Sequence, residues 1–214
     1  MHSSAVDHAL LTLLYRYMDI AELQNFYLAG GTSIALRTGY RKSTDIVLFT
    51  KSSFNSFVLR DRLIEYFPEA NIRSISKGTI LMVVNSIKTD ILQHIYPELE
   101  QPENINGIRL ESLRDISAMK VLALSNRGAK KDFSDLLFLH ESGISLKESV
   151  TNYIQKYGKD GLHSAVISLT YFADADMEPD PIYLNGWTWE YVKTCMAELS
   201  LEVQRWYNQH LSRD

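Results

Sequence analysis

Residues 26–49 read FYLAGGTSIALRTGYRKSTDIVLF, and this stretch decides the fold class of the N-terminal half. The apolar run Phe26–Ala29 leads into Gly30 and Gly31, a pattern typical of a buried strand that turns sharply into the next element. Glycines let the backbone approach a bound group closely, and the N–H groups at the start of a following helix favour anions. A tight strand-to-helix turn explains the two glycines equally well.

The residues that follow this turn predict a helix and a second strand. Thr32–Thr38 is a short helical segment that Gly39 is expected to end, and Asp45–Thr50 is a strand that begins with a carboxylate. A carboxylate on a strand beside an anion-binding turn is able to hold Mg²⁺ against phosphate oxygens. The stretch therefore predicts an α/β unit with a phosphate-and-metal arrangement.

Hydrophobic periodicity places further elements on either side of this stretch. The N-terminal half is predicted to carry two more helices and three more strands: helices at 4–19 and 54–67, and strands at 72–75, 80–84 and 87–92. The polar, proline-containing segment 97–106 is the main boundary. We therefore divide the chain into an α/β domain, residues 1–108, and a helical domain, residues 109–214.

Capping signals define the helices of the C-terminal half. Ser112 with Asp115, and Ser145 with Glu148, each open a helix in the manner of a capping box, and Gly158 is expected to end the second of these. The remaining predictions are a helix at 132–140, a loop at 174–186 and a final helix at 187–210. The fold class is α/β (α+β), with a small mixed sheet and flanking helices followed by a helical domain.

Composition is ordinary for a globular protein and limits the classes of function. Of the 214 residues 45% are hydrophobic and 22% charged, with a net charge of −4, so no global charge points to nucleic acid or membrane. The acidic excess lies mostly after Asp160, so a polyanion is expected to contact the first two-thirds of the chain. A single cysteine, Cys195, the lack of a signal-peptide layout and the lack of a membrane-spanning segment predict a cytoplasmic protein.

The opening stretch resembles the nucleotidyltransferase superfamily, in which a Gly-Ser/Thr pair precedes Asp-x-Asp/Glu on a strand. Gly31, Thr32 and Asp45 have that spacing. More specifically, the stretch resembles the abortive-infection toxins of the AbiEii/AbiGii type, which belong to type IV toxin–antitoxin systems. The matching positions in the family's Gly-His-Arg-x-Ser-x-Asp segment are Gly39, Arg41, Ser43 and Asp45, with Tyr40 in place of the histidine.

Three later features resemble the same family, in order, so that the resemblance spans roughly residues 24–140. Asp90, in Lys-Thr-Asp on a strand, resembles the third metal-binding carboxylate. Lys120 lies on the helix whose lysine reaches the nucleotide phosphates in the family. Arg127 and the run 130–136 resemble the family's Lys-Asp-Phe-x-Asp-Leu helix.

This resemblance implies transfer of a nucleotide from an NTP to an acceptor such as RNA or tRNA, with Mg²⁺ or Mn²⁺ as cofactor. It also implies a separately encoded antitoxin, no membrane partner, and a helical domain that completes the nucleotide cleft. Asp45 and Asp90 would hold the metal, and Lys120 would act with them in catalysis; replacing Lys120 with alanine should then weaken NTP binding with little change in melting temperature. The implied nucleotide-binding residues are Gly30, Gly31, Thr32, Arg41, Ser43, Arg127, Lys131, Asp132 and Asp135.

One position departs from the family. The family's strand reads Asp-Ile-Asp, whereas this chain has Asp45, Ile46 and Val47. Alternate residues of a strand face the same side, so position 47 is expected to face the metal with Asp45, and valine cannot ligate it. Activity is lost, or another carboxylate substitutes, or the position has been altered deliberately. The second hypothesis is therefore a weakened or inactive scaffold that binds nucleotide, RNA or a protein partner.

Each candidate residue also has a purely structural interpretation. Asp45 is compatible with capping or pairing at the start of a strand, and Asp90 with a polar strand end. Lys120 is compatible with a solvated helix position. Asp132 and Asp135 share a helix face and are able to form ion pairs with Arg127 or Lys131.

Overall fold

The computed structural model describes residues 1–210. The chain folds into two compact units. The first unit contains residues 1–97 and 102–111, and the second contains residues 98–101 together with those from Ser112 onward. The predicted boundary after residue 108 falls inside a strand of the first unit. The reason is that this strand pairs within the sheet of the first unit, as described below.

The first unit is a mixed sheet with three helices. Asp7 and Asn55 precede α1 and α3 as N-cap residues, and the Asn55 side chain accepts hydrogen bonds from the backbone N–H groups of Phe57 and Val58. The elements are α1 (His8–Asp19), β1 (Tyr27–Leu28), α2 (Gly30–Thr38), β2 (Ile46–Thr50), α3 (Ser56–Tyr66), β3 (Asn71–Ser76), β4 (Thr79–Val84), β5 (Ile87–Gln93), β6 (Glu103–Ile105) and β7 (Ile108–Leu110).

The seven strands are ordered β3-β4-β5-β2-β1-β7-β6. β2 pairs parallel with β5 and antiparallel with β1, so it lies in the middle of the sheet. β7 pairs parallel with β1 and antiparallel with β6. The segment interpreted from sequence as a polar boundary therefore contains β6, and β7 follows it. These two strands are only three residues long, so their periodicity is too short to detect.

One face of this sheet forms the core of the first unit. Along β2, Ile46 and Leu48 are buried, and the residues that alternate with them are only half-buried. The buried face packs against α1 and α3, whose apolar residues join the same cluster. The core residues of the two helices are Leu10, Leu13, Leu14, Tyr17, Met18, Leu59 and Leu63. The opposite, half-buried face is therefore the side of the sheet on which polar residues are able to act.

The regular elements of the second unit, in the part that the structure describes, are helices joined by loops. Its helices are α4 (Leu113–Arg127), α5 (Lys130–Glu141), α6 (Leu146–Tyr157), α7 (Leu162–Ser168), α8 (Ala173–Asp176) and α9 (Trp189–His210). Both predicted caps are confirmed: the Ser112 hydroxyl accepts from the N–H of Asp115, and the Ser145 hydroxyl accepts from that of Glu148. The short helix α8 lies partly within the segment predicted to be a loop.

The core of the second unit is an apolar and aromatic cluster between the helices. Phe133 of α5 contacts Trp189 of α9, with ring centroids 5.7 Å apart, and Phe172 with centroids 4.9 Å apart. Val121 and Val150 bring α4 and α6 into the same cluster. Phe133, Phe172 and Trp189 are therefore packing residues of this core.

Candidate functional site

The turn from β1 into α2 places the start of a helix beside β2. The backbone N–H of Ala29 donates to the carbonyl of Val47 at 2.8 Å, and α2 begins at the next residue. Gly30 has a φ of +68°, a region that favours glycine, and a Cβ there would lie 4.0 Å from Cγ2 of Val47. The first N–H groups of a helix have no partner within the helix and carry positive potential. This turn is therefore suited to an anion bound next to β2.

The two predicted metal-binding carboxylates lie on the same face of the sheet. Val47 of β2 is the register partner of Asp90 of β5, and Asp45 precedes Val47 by two residues. Register partners and alternate residues share a face, so Asp45, Val47 and Asp90 all lie on the half-buried side. Carboxylates on opposite faces of the sheet could not share a metal ion, and these two lie on one face.

Asp90 has one carboxylate oxygen without a hydrogen-bond partner. Its Oδ2 atom is 2.9 Å from Nζ of Lys88, whereas its Oδ1 atom is buried and accepts no hydrogen bond from residues 1–210. A buried carboxylate oxygen left in this way is unfavourable unless a cation or a donor reaches it. The donor set is hard oxygen, which fits Mg²⁺ or Mn²⁺.

Protein side chains alone do not form a full metal cage here. Within residues 1–210 no group of three or more His, Cys, Asp or Glu side chains is placed to hold a metal ion. Mg²⁺ is commonly bound by one or two carboxylates, with phosphate and water oxygens completing its coordination. Asp45 and Asp90 are the two carboxylates on this face that would serve such an ion, and Val47 stands between Asp45 and Phe49 on the same face.

Thr32 and Ser43 join the start of α2 to the loop that leads into β2. The Thr32 hydroxyl donates to the carbonyl oxygen of Asp45, so the 2.7 Å contact between the two hydroxyls has Ser43 as its donor. The backbone N–H of Ser43 donates to the carbonyl of Ala5 at 2.9 Å. The contacts of both hydroxyls fix the backbone at Asp45, and their role in binding nucleotide stays a prediction. We therefore regard Thr32 as a positioning residue.

Arg41 is also held by internal contacts. It is only 4% exposed; its Nε donates to the hydroxyl of Tyr40 at 2.8 Å and its Nη1 donates to the carbonyl of Lys42 at 2.9 Å. Tyr40 occupies the position of the family's histidine and is itself buried. A direct role for Arg41 in nucleotide binding stays a prediction, and the contacts described here hold the loop between α2 and β2.

A buried charge cluster joins α4 and α5 in the second unit. Nζ of Lys120 lies 2.8 Å from Oδ1 of Asp132 and 2.5 Å from Oδ2 of Asp135. Nε of Arg127 donates to Oδ2 of Asp132 at 2.7 Å, and Nη2 of the same guanidinium donates to Oδ1 at 3.0 Å. Lys120 is 5% exposed, so the interpretation of a solvated lysine is wrong. The predicted ion pair between Arg127 and Asp132 is confirmed.

The two basic partners of Asp132 determine its ionisation. Burial by itself would raise the pKa of Asp132, but the charge of Lys120 and the hydrogen bond from Arg127 outweigh it and hold the pKa well below its ordinary value. The Arg127 side chain is 55% exposed, so the cluster has one cationic group that solvent and ligands reach. The carboxylate is therefore ionised throughout the neutral and mildly acidic range.

The low pKa of Asp132 should make the second unit sensitive to acid. Its stabilising contribution is complete above the pKa of an unfolded aspartate, about 3.9, and is lost as the pH falls from there toward the lower folded value. We expect the free energy of unfolding to fall more steeply below about pH 4 in the native chain than in Asp132→Asn. Urea unfolding at a series of pH values measures this slope, and equal slopes would contradict the ion pairing.

Lys130, and not Lys131, is the deeply buried lysine at the start of α5. Its Nζ is 2.7 Å from Oδ1 of Asp180 and 5.4 Å from the centroid of the Trp189 ring, and its backbone N–H donates to Glu178. Lys131 is half-buried. Its predicted role in binding phosphate stays a prediction.

Sequence reasoning missed a second buried ion pair. Oδ1 of Asp115 is 2.5 Å from Nζ of Lys156, and the Asp115 carboxylate also accepts from the backbone N–H groups of Leu99 and Glu100 and from the Ser112 hydroxyl. Both charged side chains are fully buried. Lys156 follows Asp115 by 41 residues, and no local pattern signals a partner at that separation. The carboxylate is fully occupied, so Asp115 is a structural residue.

Comparison with known proteins identifies the family. The profile of the family described as nucleotidyl transferase AbiEii toxin, Type IV TA system, matches residues 12–190. The chain belongs to this AbiEii toxin family. The resemblance noted in the sequence is thereby confirmed, and the match extends beyond residue 140 through most of the helical unit.

Three proteins from named organisms are similar to this chain in sequence or in structure. An uncharacterized protein of Aquifex aeolicus (strain VF5) is 37% identical over 177 residues, which cover 78% of this chain and 85% of the relative. MenT4, a nucleotidyltransferase toxin from Mycobacterium tuberculosis H37Rv, has a similar structure, with a TM-score of 0.56, 15% identity, and coverage of 92% of this chain and 86% of that one. JHP933 from Helicobacter pylori has a TM-score of 0.50 at 16% identity, with 95% and 97% of the two chains covered.

The two solved structures confirm the α/β fold class of this AbiEii-family chain. Their sequence identity is too low to carry over individual residues. In residues 1–210 no helix is both long enough and apolar enough to cross a membrane.

Proposed function

We propose that this AbiEii-family protein transfers a nucleotidyl group from an NTP to a hydroxyl of an RNA acceptor, tRNA included. In this proposal it is the toxin of a toxin–antitoxin pair, and a separately encoded antitoxin neutralises it. The observation that carries the proposal is the arrangement on one sheet face. Asp45 and Asp90 lie there together, Asp90 has an oxygen without a partner, and the anion-favouring start of α2 is adjacent.

Mg²⁺, or Mn²⁺ in its place, would be held by Asp45 and Asp90 together with phosphate oxygens of the NTP. When bound, such an ion neutralises developing charge on the transferred group. The backbone N–H groups of Gly30 and Gly31 would face the phosphates, since they belong to the first turn of α2, where N–H groups have no acceptor within the helix. Thr32 and Ser43 keep the backbone at Asp45 in position. An acceptor hydroxyl attacks the α-phosphorus in line, and pyrophosphate leaves.

The second unit has basic groups of its own that suit contact with phosphate. Arg127 is the candidate for phosphate contact, because its side chain is largely exposed while it stays paired with Asp132. Lys120 lies between Asp132 and Asp135, so we propose that it orients that carboxylate pair and acts on the phosphates only indirectly. Lys131 is the second candidate for a phosphate contact.

The valine at position 47, where the family has an aspartate, favours a second candidate function. The register places Val47 directly opposite Asp90, which is where the family's second strand carboxylate would share a metal. A chain with two carboxylates in place of three is suited to binding a metal–nucleotide complex and poorly suited to accelerating transfer. The alternative is therefore an inactive scaffold that binds nucleotide or a partner.

Incubation with labelled NTPs, Mg²⁺ or Mn²⁺ and total RNA distinguishes transfer from binding alone. We expect label to enter RNA with the native chain and to fall by at least about a hundredfold with Asp90→Asn, since a metal ligand is lost. Asp61→Asn is the matched control, because Asp61 is an exposed aspartate on α3 of the same unit. Nucleotide binding without any transfer would favour the inactive scaffold.

A further inference from the structure

An aromatic stack lies just beyond the ends of β2 and β5. The rings of Phe49 and His94 are stacked with centroids 4.9 Å apart and planes 4° apart, and the ring of Tyr96 lies 5.2 Å from that of His94. Tyr96 is 42% exposed, so its ring is the outer member of the stack. β2 and β5 are parallel, so their ends meet at one edge of the sheet and bring the three rings together.

This stack continues the face that carries the carboxylates. Phe49 follows Asp45 by four residues and His94 follows Asp90 by four, and even spacing along a strand keeps side chains on one face. The backbone of His94 extends the pairing of β5, because its N–H donates to the carbonyl of Thr50. At about 3.3 Å per residue, the stack begins about 13 Å along the sheet from each carboxylate.

The order of the strands separates the stack from the phosphate-binding turn. β2 lies between β1, which leads into Gly30 and Gly31, and β5, which leads into His94 and Tyr96. A triphosphate held at the glycine turn approaches the carboxylates from the β1 side. A group stacked on Tyr96 approaches them from the β5 side. The stack is therefore placed for the molecule that receives the nucleotide and not for the base of the NTP.

Two exposed lysines beside the stack have no ion-pair partner in residues 1–210. Lys51 directly follows β2. Lys77 lies in the turn between β3 and β4, which is held next to the stack because Gln93 donates to the carbonyl of Gly78 at 2.7 Å. Lys77 also lines an open depression of about 430 Å³ beside the N-terminus of α3. Aromatic rings flanked by unpaired cations are the usual surface for single-stranded nucleic acid.

We propose that Tyr96, backed by His94 and Phe49, stacks an unpaired base of the single-stranded RNA acceptor while Lys51 and Lys77 contact its phosphates. This inference rests on the proposed function, because it assigns the acceptor to the same sheet face. It commits to a nucleobase held by stacking, which is tolerant of sequence, and not to recognition of base edges.

The test is fluorescence anisotropy with a labelled single-stranded RNA, using the full chain and no NTP. We expect Tyr96→Ala to raise the Kd for RNA about tenfold, and Tyr96→Trp to retain or improve binding. Tyr66→Ala is the matched control, because Tyr66 is a tyrosine of the same unit that is 45% exposed and lies outside the stack. An RNA of the same length with abasic positions has no base to stack there. The native chain and Tyr96→Ala should therefore bind it with the same Kd.

The outcomes separate this inference from the proposed function. Unchanged RNA binding by Tyr96→Ala, or no RNA binding by the native chain, overturns the stacking proposal. A loss of NTP affinity in Tyr96→Ala without a loss of RNA affinity also overturns it and assigns the stack to the incoming base. The proposed function fails independently if the native chain transfers no nucleotide, since the RNA measurement requires no catalysis.

Discussion

Lys120→Met should lower the free energy of unfolding of the second unit by about 3–5 kcal/mol, the usual cost of removing one partner from a buried ion pair. The ammonium of Lys120 lies between the carboxylates of Asp132 and Asp135, both of which are fully buried. Arg127 still pairs with Asp132 in the variant. Asp135 loses the cation that Lys120 supplies. A buried carboxylate without a cation close enough to offset the cost of its burial is strongly unfavourable.

Tryptophan fluorescence during urea unfolding measures this loss in the right part of the chain. All three tryptophans, Trp187, Trp189 and Trp206, belong to the second unit. Lys147→Ala is the control, since Lys147 is an exposed lysine of α6 and its removal should cost about 1 kcal/mol or less. Adding Asp135→Asn to Lys120→Met should recover part of the stability. A Lys120→Met protein as stable as the native chain would contradict the buried cluster.

The expected loss of stability differs from the expectation based on sequence, in which replacing Lys120 leaves the melting temperature nearly unchanged. A phosphate-binding lysine on a helix surface can be removed with little change in melting temperature, whereas a lysine that is 5% exposed between two aspartates cannot. A loss of NTP binding in a Lys120 variant therefore has to be interpreted beside its stability. The Arg127→Ala variant is the cleaner probe of phosphate contact, because the Arg127 side chain is largely exposed.

Val47→Asp should raise nucleotide transfer above that of the native chain by up to about a thousandfold, the rate equivalent of restoring roughly 4 kcal/mol of transition-state stabilisation. The new carboxylate would stand opposite Asp90 and on the same face as Asp45. Without metal, the added negative charge should lower the melting temperature, because carboxylates held close together repel each other. Mg²⁺ should reverse that loss, because it binds the folded state preferentially.

Two variants check the mechanism of this gain. Val83→Asp places the same substitution on the same face of the sheet but opposite Lys88, and it should not raise transfer. Val47→Asp combined with Asp45→Ala should lose the gain, because the shared metal loses a ligand. Transfer and melting with and without Mg²⁺ are the measurements. If Val47→Asp changes neither the rate of transfer nor the effect of Mg²⁺ on the melting temperature, the missing carboxylate does not limit transfer.

Features decided by a few neighbouring residues could be predicted from the sequence. Gly39 ends α2 as predicted, with a φ of +72°, and a Cβ there would lie 2.7 Å from the ring of His2. The caps at Ser112 and Ser145 depend on residues three positions away. The shared face of Asp45 and Asp90 follows from alternation once the two strands are paired in parallel.

Features that depend on distant residues could not be predicted. The sequence does not show that β7 pairs with β1, more than 75 residues earlier, or that Asp115 meets Lys156. The assignment of Thr32 to nucleotide binding comes from the family's Gly-Ser/Thr pair, but a threonine hydroxyl is equally able to make a phosphate contact and an internal hydrogen bond. The internal hydrogen bond of Thr32 depends on the position of the Asp45 carbonyl, 13 residues later, which the sequence does not show.

The central claim is that Asp45 and Asp90 hold a metal ion against a nucleotide at the start of α2, and the most direct test is metal-dependent nucleotide affinity. Titration of a fluorescent NTP analogue should give tighter binding with Mn²⁺ than with a chelator. Asp90→Asn should lose that difference, and Asp61→Asn should keep it. Equal affinity with Mn²⁺ and with chelator in the native chain, or a metal effect that survives in Asp90→Asn, would contradict the account.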